Sequence, residues 1–292
     1  MSQAPMKLRS RRPGYHDYSA VLIVLIVAAL LIVLDVPFGG GKSSEKLAGT
    51  TPSRTEFSTL YSAALGREMP LDVFLPPGYD SSDQRYPVLY MLHGMGGTNK
   101  EWEYYGLFEE AGRLMRAGEM IPFIVVLPQG DYGYWVDQAN GGPRWGEYVA
   151  REVVAEVDRR YRTLPDPSAR AVGGLSMGAD GALQLALNNP DVFSVVGAHS
   201  PVLKPYGDAP EFFGDVVYFE AHYPVTLVQF QTEVAKRLTI SIDVGDVDIW
   251  LTNAVAFHEE LNRLGVRHEW HVWPGEHNAE YWTAHVVDNL RF

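Results

Sequence analysis

Short apolar runs alternate with longer amphipathic stretches along most of this chain, and that alternation restricts the fold more than any other feature. The strand-like runs fall at residues 71–75, 88–92, 121–127, 170–173, 192–196, 238–244 and 266–272. Helical periodicity appears at 108–117, 145–161, 179–188, 252–264 and 279–290. Strands interleaved with helices build β-α-β units, which force neighbouring strands parallel and place helices on both faces of the sheet. The expectation is an α/β fold with a mostly parallel central sheet, in one domain large enough to bury a substantial core. Residues 201–231, rich in Pro, Tyr and Phe without a clear period, read as an insertion above the sheet edge, a common place for substrate-selecting lids. Packing against the domain is the expected role of its Tyr206, Phe212 and Phe213.

Within that pattern, Gly174-Leu175-Ser176-Met177-Gly178 follows an apolar run and precedes a helical one. A serine hydroxyl is a weak nucleophile at neutral pH, so it needs a sharp turn to expose it and a base to take its proton. The strand-turn-helix setting supplies the turn and makes Ser176 the candidate nucleophile. Upstream, a buried strand runs into His93-Gly94-Met95-Gly96-Gly97, whose glycines allow backbone N–H groups to approach a developing oxyanion. In an α/β-hydrolase arrangement one donor follows the nucleophile and the other comes from this earlier loop, which points to the N–H groups of Met177 and Met95. His93 is read as a brace for the loop rather than as the base.

The general base of such an arrangement comes last in the chain, and His277 fits best. It lies in a turn-rich segment, Trp273-Pro274-Gly275-Glu276-His277-Asn278, between a strand and a helix. By contrast, His268 and His271 sit within a strand pattern, and His258 and His285 within helical ones. The carboxylate that orients the imidazole is expected between Ser176 and His277. Asp243 belongs to the strand pattern, while Asp246 and Asp248 both follow the Gly245 turn; spacing alone does not separate these two.

Five motifs in order resemble the esterase D-like branch of the α/β-hydrolases, which includes S-formylglutathione hydrolases, feruloyl and acetyl-xylan esterases, and mycolyltransferases. They are Leu75-Pro76-Pro77-Gly78-Tyr79, Leu92-His93-Gly94-Met95-Gly96-Gly97, Gly174-Leu175-Ser176-Met177-Gly178, Asp243-Val244-Gly245-Asp246-Val247-Asp248 and Gly275-Glu276-His277. The likeness covers most of residues 57–292 and implies a serine esterase without cofactor or metal. It also implies that the acid is the aspartate three residues after the glycine, Asp248. One departure is Leu127-Pro128-Gln129-Gly130, where many relatives have an aspartate before the glycine. The same machinery would serve an acyltransferase if a sugar hydroxyl or other alcohol replaced water. A catalytically silent scaffold and a metallohydrolase using His268, His271 and His277 are the competing classes.

Trp135, in the aromatic group Tyr132-Gly133-Tyr134-Trp135, follows the strand ending at 127 and is the candidate substrate contact, since aromatic faces stack on sugars and phenolic rings. At the N-terminus, residues 1–17 form a basic tail and 18–38 an apolar run. Its 21 residues span about 31 Å as a helix, enough for a bilayer core. The basic flank places the N-terminus in the cytoplasm and the domain outside. Because Asp35-Val36-Pro37-Phe38 is a poor cleavage site, an uncleaved signal-anchor is preferred to a signal peptide. Residues 39–55 read as a flexible Gly/Ser-rich linker, and 56–292 as the hydrolase domain. With no cysteine, disulfides and thiolate chemistry are excluded. The formal charge is −12, and residues 1–47 carry six basic against three acidic side chains, leaving −15 on the rest. So acidic a domain repels phosphate backbones, which argues against nucleic acid as a partner. The expected partners are a small-molecule or carbohydrate-linked ester and a membrane.

Overall fold

The computed structural model describes residues 51–292. The basic tail, the apolar run at 18–38 and most of the linker lie outside the described residues, and so does the proposed membrane anchor. Among the described residues, no helix is long and apolar enough to cross a membrane.

Among the described residues, eight strands form one sheet: β1 (Arg54–Ser62), β2 (Arg67–Leu75), β3 (Val88–Leu92), β4 (Ile124–Pro128), β5 (Arg170–Leu175), β6 (Val195–His199), β7 (Thr239–Gly245) and β8 (Glu269–Trp273). Their spatial order is β1-β2-β4-β3-β5-β6-β7-β8. β1 and β2 pair antiparallel, as do β2 and β4, and all later pairs are parallel. The helices are α1 (Glu101–Tyr104), α2 (Leu107–Arg116), α3 (Trp145–Glu147), α4 (Val154–Arg160), α5 (Met177–Asn188), α6 (Val216–Glu220), α7 (Pro224–Phe230), α8 (Thr232–Ala235), α9 (Leu251–Leu264) and α10 (Ala279–Arg291).

Strand side chains alternate between two cores, as a two-residue period requires. In β4, Ile124 and Val126 face one core with α4, α5 and α9, whereas Val125 and Leu127 face the other with α2 and α10. Near-continuous apolar sequence in β3 and β4 follows directly from burial on both faces.

Several boundaries depart from the sequence expectation for local reasons. β6 begins at Val195 rather than 192, because Val192 and Phe193 N–H groups both bond the Asn189 carbonyl and continue the helix-ending turn. Likewise β8 starts at Glu269 rather than 266: Val266 N–H bonds Leu261 O across the left-handed Gly265, closing α9. The helix expected over 145–161 is interrupted by a π-helical turn, Tyr148–Val153. β1 has no counterpart in the expectation, since an edge strand with mostly exposed or half-buried residues leaves little hydrophobic signature. The insertion is not structureless either. It contains α6 and α7, with Phe213 and Phe219 packed on Val136.

Candidate active site

In sheet order β3 is flanked by β4 and β5, so the chain winds one way and then the other from this pair of strands. Loops leaving the carboxyl ends of such neighbours diverge and open a crevice. Leu92 pairs with Gly174 at that edge, which sets the loop after β3 beside Ser176. Ser176 has φ 53° and ψ −120° and lies between β5 and α5. A non-glycine residue held there is strained, and its N–H bond to His199 O (2.9 Å) helps to hold it. The flanking glycines are steric requirements. A Cβ on Gly174 would lie 2.4 Å from Gly178 carbonyl atoms, and one on Gly178 would lie 2.4 Å from Leu92 O.

His277 Nε2 lies 2.9 Å from Ser176 Oγ, and its Nδ1 lies 2.9 Å from Asp248 Oδ2. With the proton on Nδ1, the ring donates to Asp248 and accepts from the serine hydroxyl. Asp248, whose side chain is fully buried, also accepts Trp250 N–H at 2.7 Å. Asp246 turns elsewhere and accepts Gly275 N–H at 2.9 Å, tying the β7 turn to the histidine loop. Asn278 caps α10 by accepting Tyr281 N–H, so the helix starts two residues after His277 and fixes the loop's exit. His268 pairs with His258 (2.7 Å) and His271 faces Glu269 at the surface, so these two do not gather around His277.

The 93–97 loop is held from below. Gly94 N–H donates to Glu101 Oε2 (2.7 Å), Tyr105 OH donates to Oε1, and burial pushes the Glu101 carboxyl above its ordinary range. His93 accepts Gly130 N–H on Nε2 (2.8 Å) and donates from Nδ1 to Gly94 O (2.7 Å). Burial lowers its pKa, favouring this neutral form, so His93 braces the loop. Gln129, at the departure from the family pattern, accepts Asn99 N–H and donates to Asp131. Met95 is exposed at the loop tip, and neither its N–H nor that of Met177 has an acceptor among the described residues.

Trp135 requires a correction. It is 0% exposed and packs edge-on to His93 and against Gly181, with its indole N–H donating to His93 O at 3.3 Å. Tyr134 and Trp135 both adopt positive φ (51° and 59°). That turn drives the indole beneath the loop and leaves Tyr134 lining the cleft instead. The cleft encloses about 280 Å³, with Ser176, His277, Met95, Tyr134, Lys204 and Trp250 among its walls.

The family model described as "Putative esterase" matches residues 62–292. The chain belongs to this esterase family. Esterase Rv1288 of Mycobacterium tuberculosis is 34% identical over 143 residues, a match covering 47% of this chain and 30% of that protein. This chain therefore spans under a third of that relative's length. A ferulic acid esterase structure has 26% identity and a TM-score of 0.75, covering 83% of this chain and 98% of its own. An S-formylglutathione hydrolase from Agrobacterium tumefaciens, at 20% identity and TM-score 0.70, shares the fold over 82% of this chain and 94% of its own. The chain lies in the esterase D-like branch of the α/β-hydrolases.

Several supports of this esterase-family site gave no signal in the sequence. A buried hydrogen bond joins His199 Nδ1 to Asp243 Oδ2, and Tyr281 OH donates to the other Asp243 oxygen at 2.8 Å. Since His199 O holds Ser176 N–H and Tyr281 lies in the first turn of α10, this network joins the serine turn to the histidine loop. Its members lie at the ends of three elements far apart in sequence, so no local pattern marks them. Asp180, in the first turn of α5, accepts Val202 and Leu203 N–H groups and fixes the chain after β6. Burial pushes its carboxyl up to about 7 from 3.8. Between those values the folded chain holds a proton that the unfolded chain has released, so stability falls as pH rises through that window. Relative to Asp180→Asn, wild type is therefore expected to gain ~2 kcal/mol of unfolding free energy between about pH 7.5 and 5. Urea titrations of both proteins at the two pH values check this; an unchanged difference would refute it.

Proposed function

We propose that the chain is a serine carboxylic-ester hydrolase acting through an acyl-enzyme. The observation that carries the reading is the unbroken contact chain from Ser176 Oγ through His277 to buried Asp248, 2.9 Å at each link. Ser176 Oγ attacks the ester carbonyl carbon while its proton passes to His277 Nε2, and Asp248 stabilises the resulting imidazolium. The carbonyl oxygen becomes an oxyanion that the N–H groups of Met95 and Met177 receive, aided by the positive N-terminal end of α5. Collapse breaks the bond to the alcohol oxygen, which takes the proton from His277. Water then attacks the acyl group, giving its proton to His277, and the second collapse frees the acid and returns the proton to Ser176.

Family membership and the name of the ferulic acid esterase neighbour support a carboxylic ester, small-molecule or carbohydrate-linked, as the substrate. On sequence grounds alone, residues 18–38 anchor the chain in a membrane with the domain on the extracytoplasmic side. A fluorophosphonate probe tests the chemistry, because it phosphonylates only an activated serine. The full chain in detergent is expected to label and to hydrolyse p-nitrophenyl butyrate, whereas a wild type that does neither would leave only a silent scaffold with this fold.

A further inference from the structure

We infer that Lys204 selects esters bearing a carboxylate, so that the cleft is built for a substrate carrying a negative charge close to the scissile bond. This rests on the esterase reading and specifies its substrate class. Lys204 follows the segment that Asp180 pins through the Val202 and Leu203 N–H groups, and Leu203 itself sits at positive φ (49°). Its position is therefore set by a rigid support. The half-buried side chain enters the wall of the cleft that holds Ser176 and His277. Its ammonium lies over the Trp250 ring, 4.9 Å from the centroid, in a cation–π contact that aims the charge without neutralising it.

Among the described residues, Lys204 makes no salt bridge, unlike Lys100 and Lys236, which pair with Asp72 and Glu233. The neighbouring carboxylates are committed elsewhere. Asp180 spends its oxygens on backbone N–H groups, Asp248 on His277 and Trp250, and Glu101 on Gly94 and Tyr105. Asp180 lies within Coulombic reach of Lys204, but burial raises its pKa and disfavours its charged form, so the ammonium has no salt-bridged partner among the described residues. A cation so placed beside a nucleophile is a recognition element for an anion, because partial desolvation strengthens its pull on a ligand charge. The rest of the chain works against anions, at −15 outside residues 1–47. Attraction must therefore be local, and Lys204 supplies it where the ester binds.

The carboxylate could sit on either side of the ester. The test measures kcat/KM for p-nitrophenyl hemisuccinate against p-nitrophenyl valerate, which charges the acyl side. It also compares 4-carboxyphenyl butyrate with 4-methoxycarbonylphenyl butyrate, which charges the alcohol side. Lys204→Met is expected to lower kcat/KM for the charged ester of one pair by ~10–100-fold, Lys204→Glu by more, and the neutral partners by less than ~3-fold. Equal losses on charged and neutral esters in both pairs would overturn the assignment. Failure of the wild type on every neutral ester would instead count against the esterase reading. Lys204 then remains testable by calorimetric binding of monomethyl succinate and methyl valerate to Ser176→Ala with and without Lys204→Met. Tenfold weaker binding of the anion alone supports its role, and no difference between the two ligands removes it.

Discussion

Ser176→Ala is expected to lower kcat for p-nitrophenyl butyrate by ~10³–10⁶-fold with little change in KM, because it deletes the atom proposed to form the acyl bond and leaves the cleft walls in place. The loss should be close to that of His277→Ala, and the double variant should lose hardly more than either alone, since serine and imidazole act as one unit. Folding is not the confounder. Among the described residues, Ser176 Oγ bonds only His277, while the turn itself is held by Ser176 N–H to His199 O. Thermal unfolding within a few degrees of wild type, together with loss of fluorophosphonate labelling, completes the expected result. A variant that kept more than about a tenth of wild-type turnover would show that some other group attacks the ester.

Asp248→Asn comes next in size and separates two aspartates that sequence spacing leaves equivalent. An asparagine in a serine-protease triad lowers turnover by about 10⁴ because its amide favours the wrong imidazole tautomer. A loss of that order is expected here, since Asp248 Oδ2 faces His277 Nδ1 at 2.9 Å in a fully buried position. At Asp246 the bond is to Gly275 N–H, and an asparagine carbonyl can still accept it. Asp246→Asn is therefore expected to cost less than about tenfold in kcat, with its main effect on the stability of the 273–277 turn. Steady-state kinetics of the two variants side by side check the ranking; a larger loss at Asp246 would reverse the assignment of the acid.

What could be read early depended on how local each signal was. Gly174-Leu175-Ser176-Met177-Gly178 announces itself because the residue types the turn needs fall within five consecutive positions, even though the atom that excludes a Cβ at Gly178 is Leu92 O on the neighbouring strand. His277 was reachable through chain order and its turn-rich surroundings. Trp135 misled because an aromatic residue near the carboxyl edge of the sheet looks the same whether it faces the cleft or the core. The sign of φ at Tyr134 and Trp135 decides between these, and no side-chain pattern encodes it. Lys204 was silent for a related reason, since a lone lysine between Pro201 and Pro205 ordinarily points to water.

By itself the sequence determined the α/β class, the strand and helix alternation, and the serine and histidine at the ends of their strands, because each follows from periodicity or turn chemistry over a few neighbouring residues. Spacing left Asp246 and Asp248 equivalent and the family resemblance alone favoured Asp248, which the tertiary structure sets against the imidazole; only the tertiary structure decided that His199, Asp243 and Tyr281 join the two loops and that Lys204 turns into the cleft. Those outcomes depend on which loop ends the sheet order brings together, and hydrogen bonds spanning 29 to 101 residues along the chain leave no periodic trace in it.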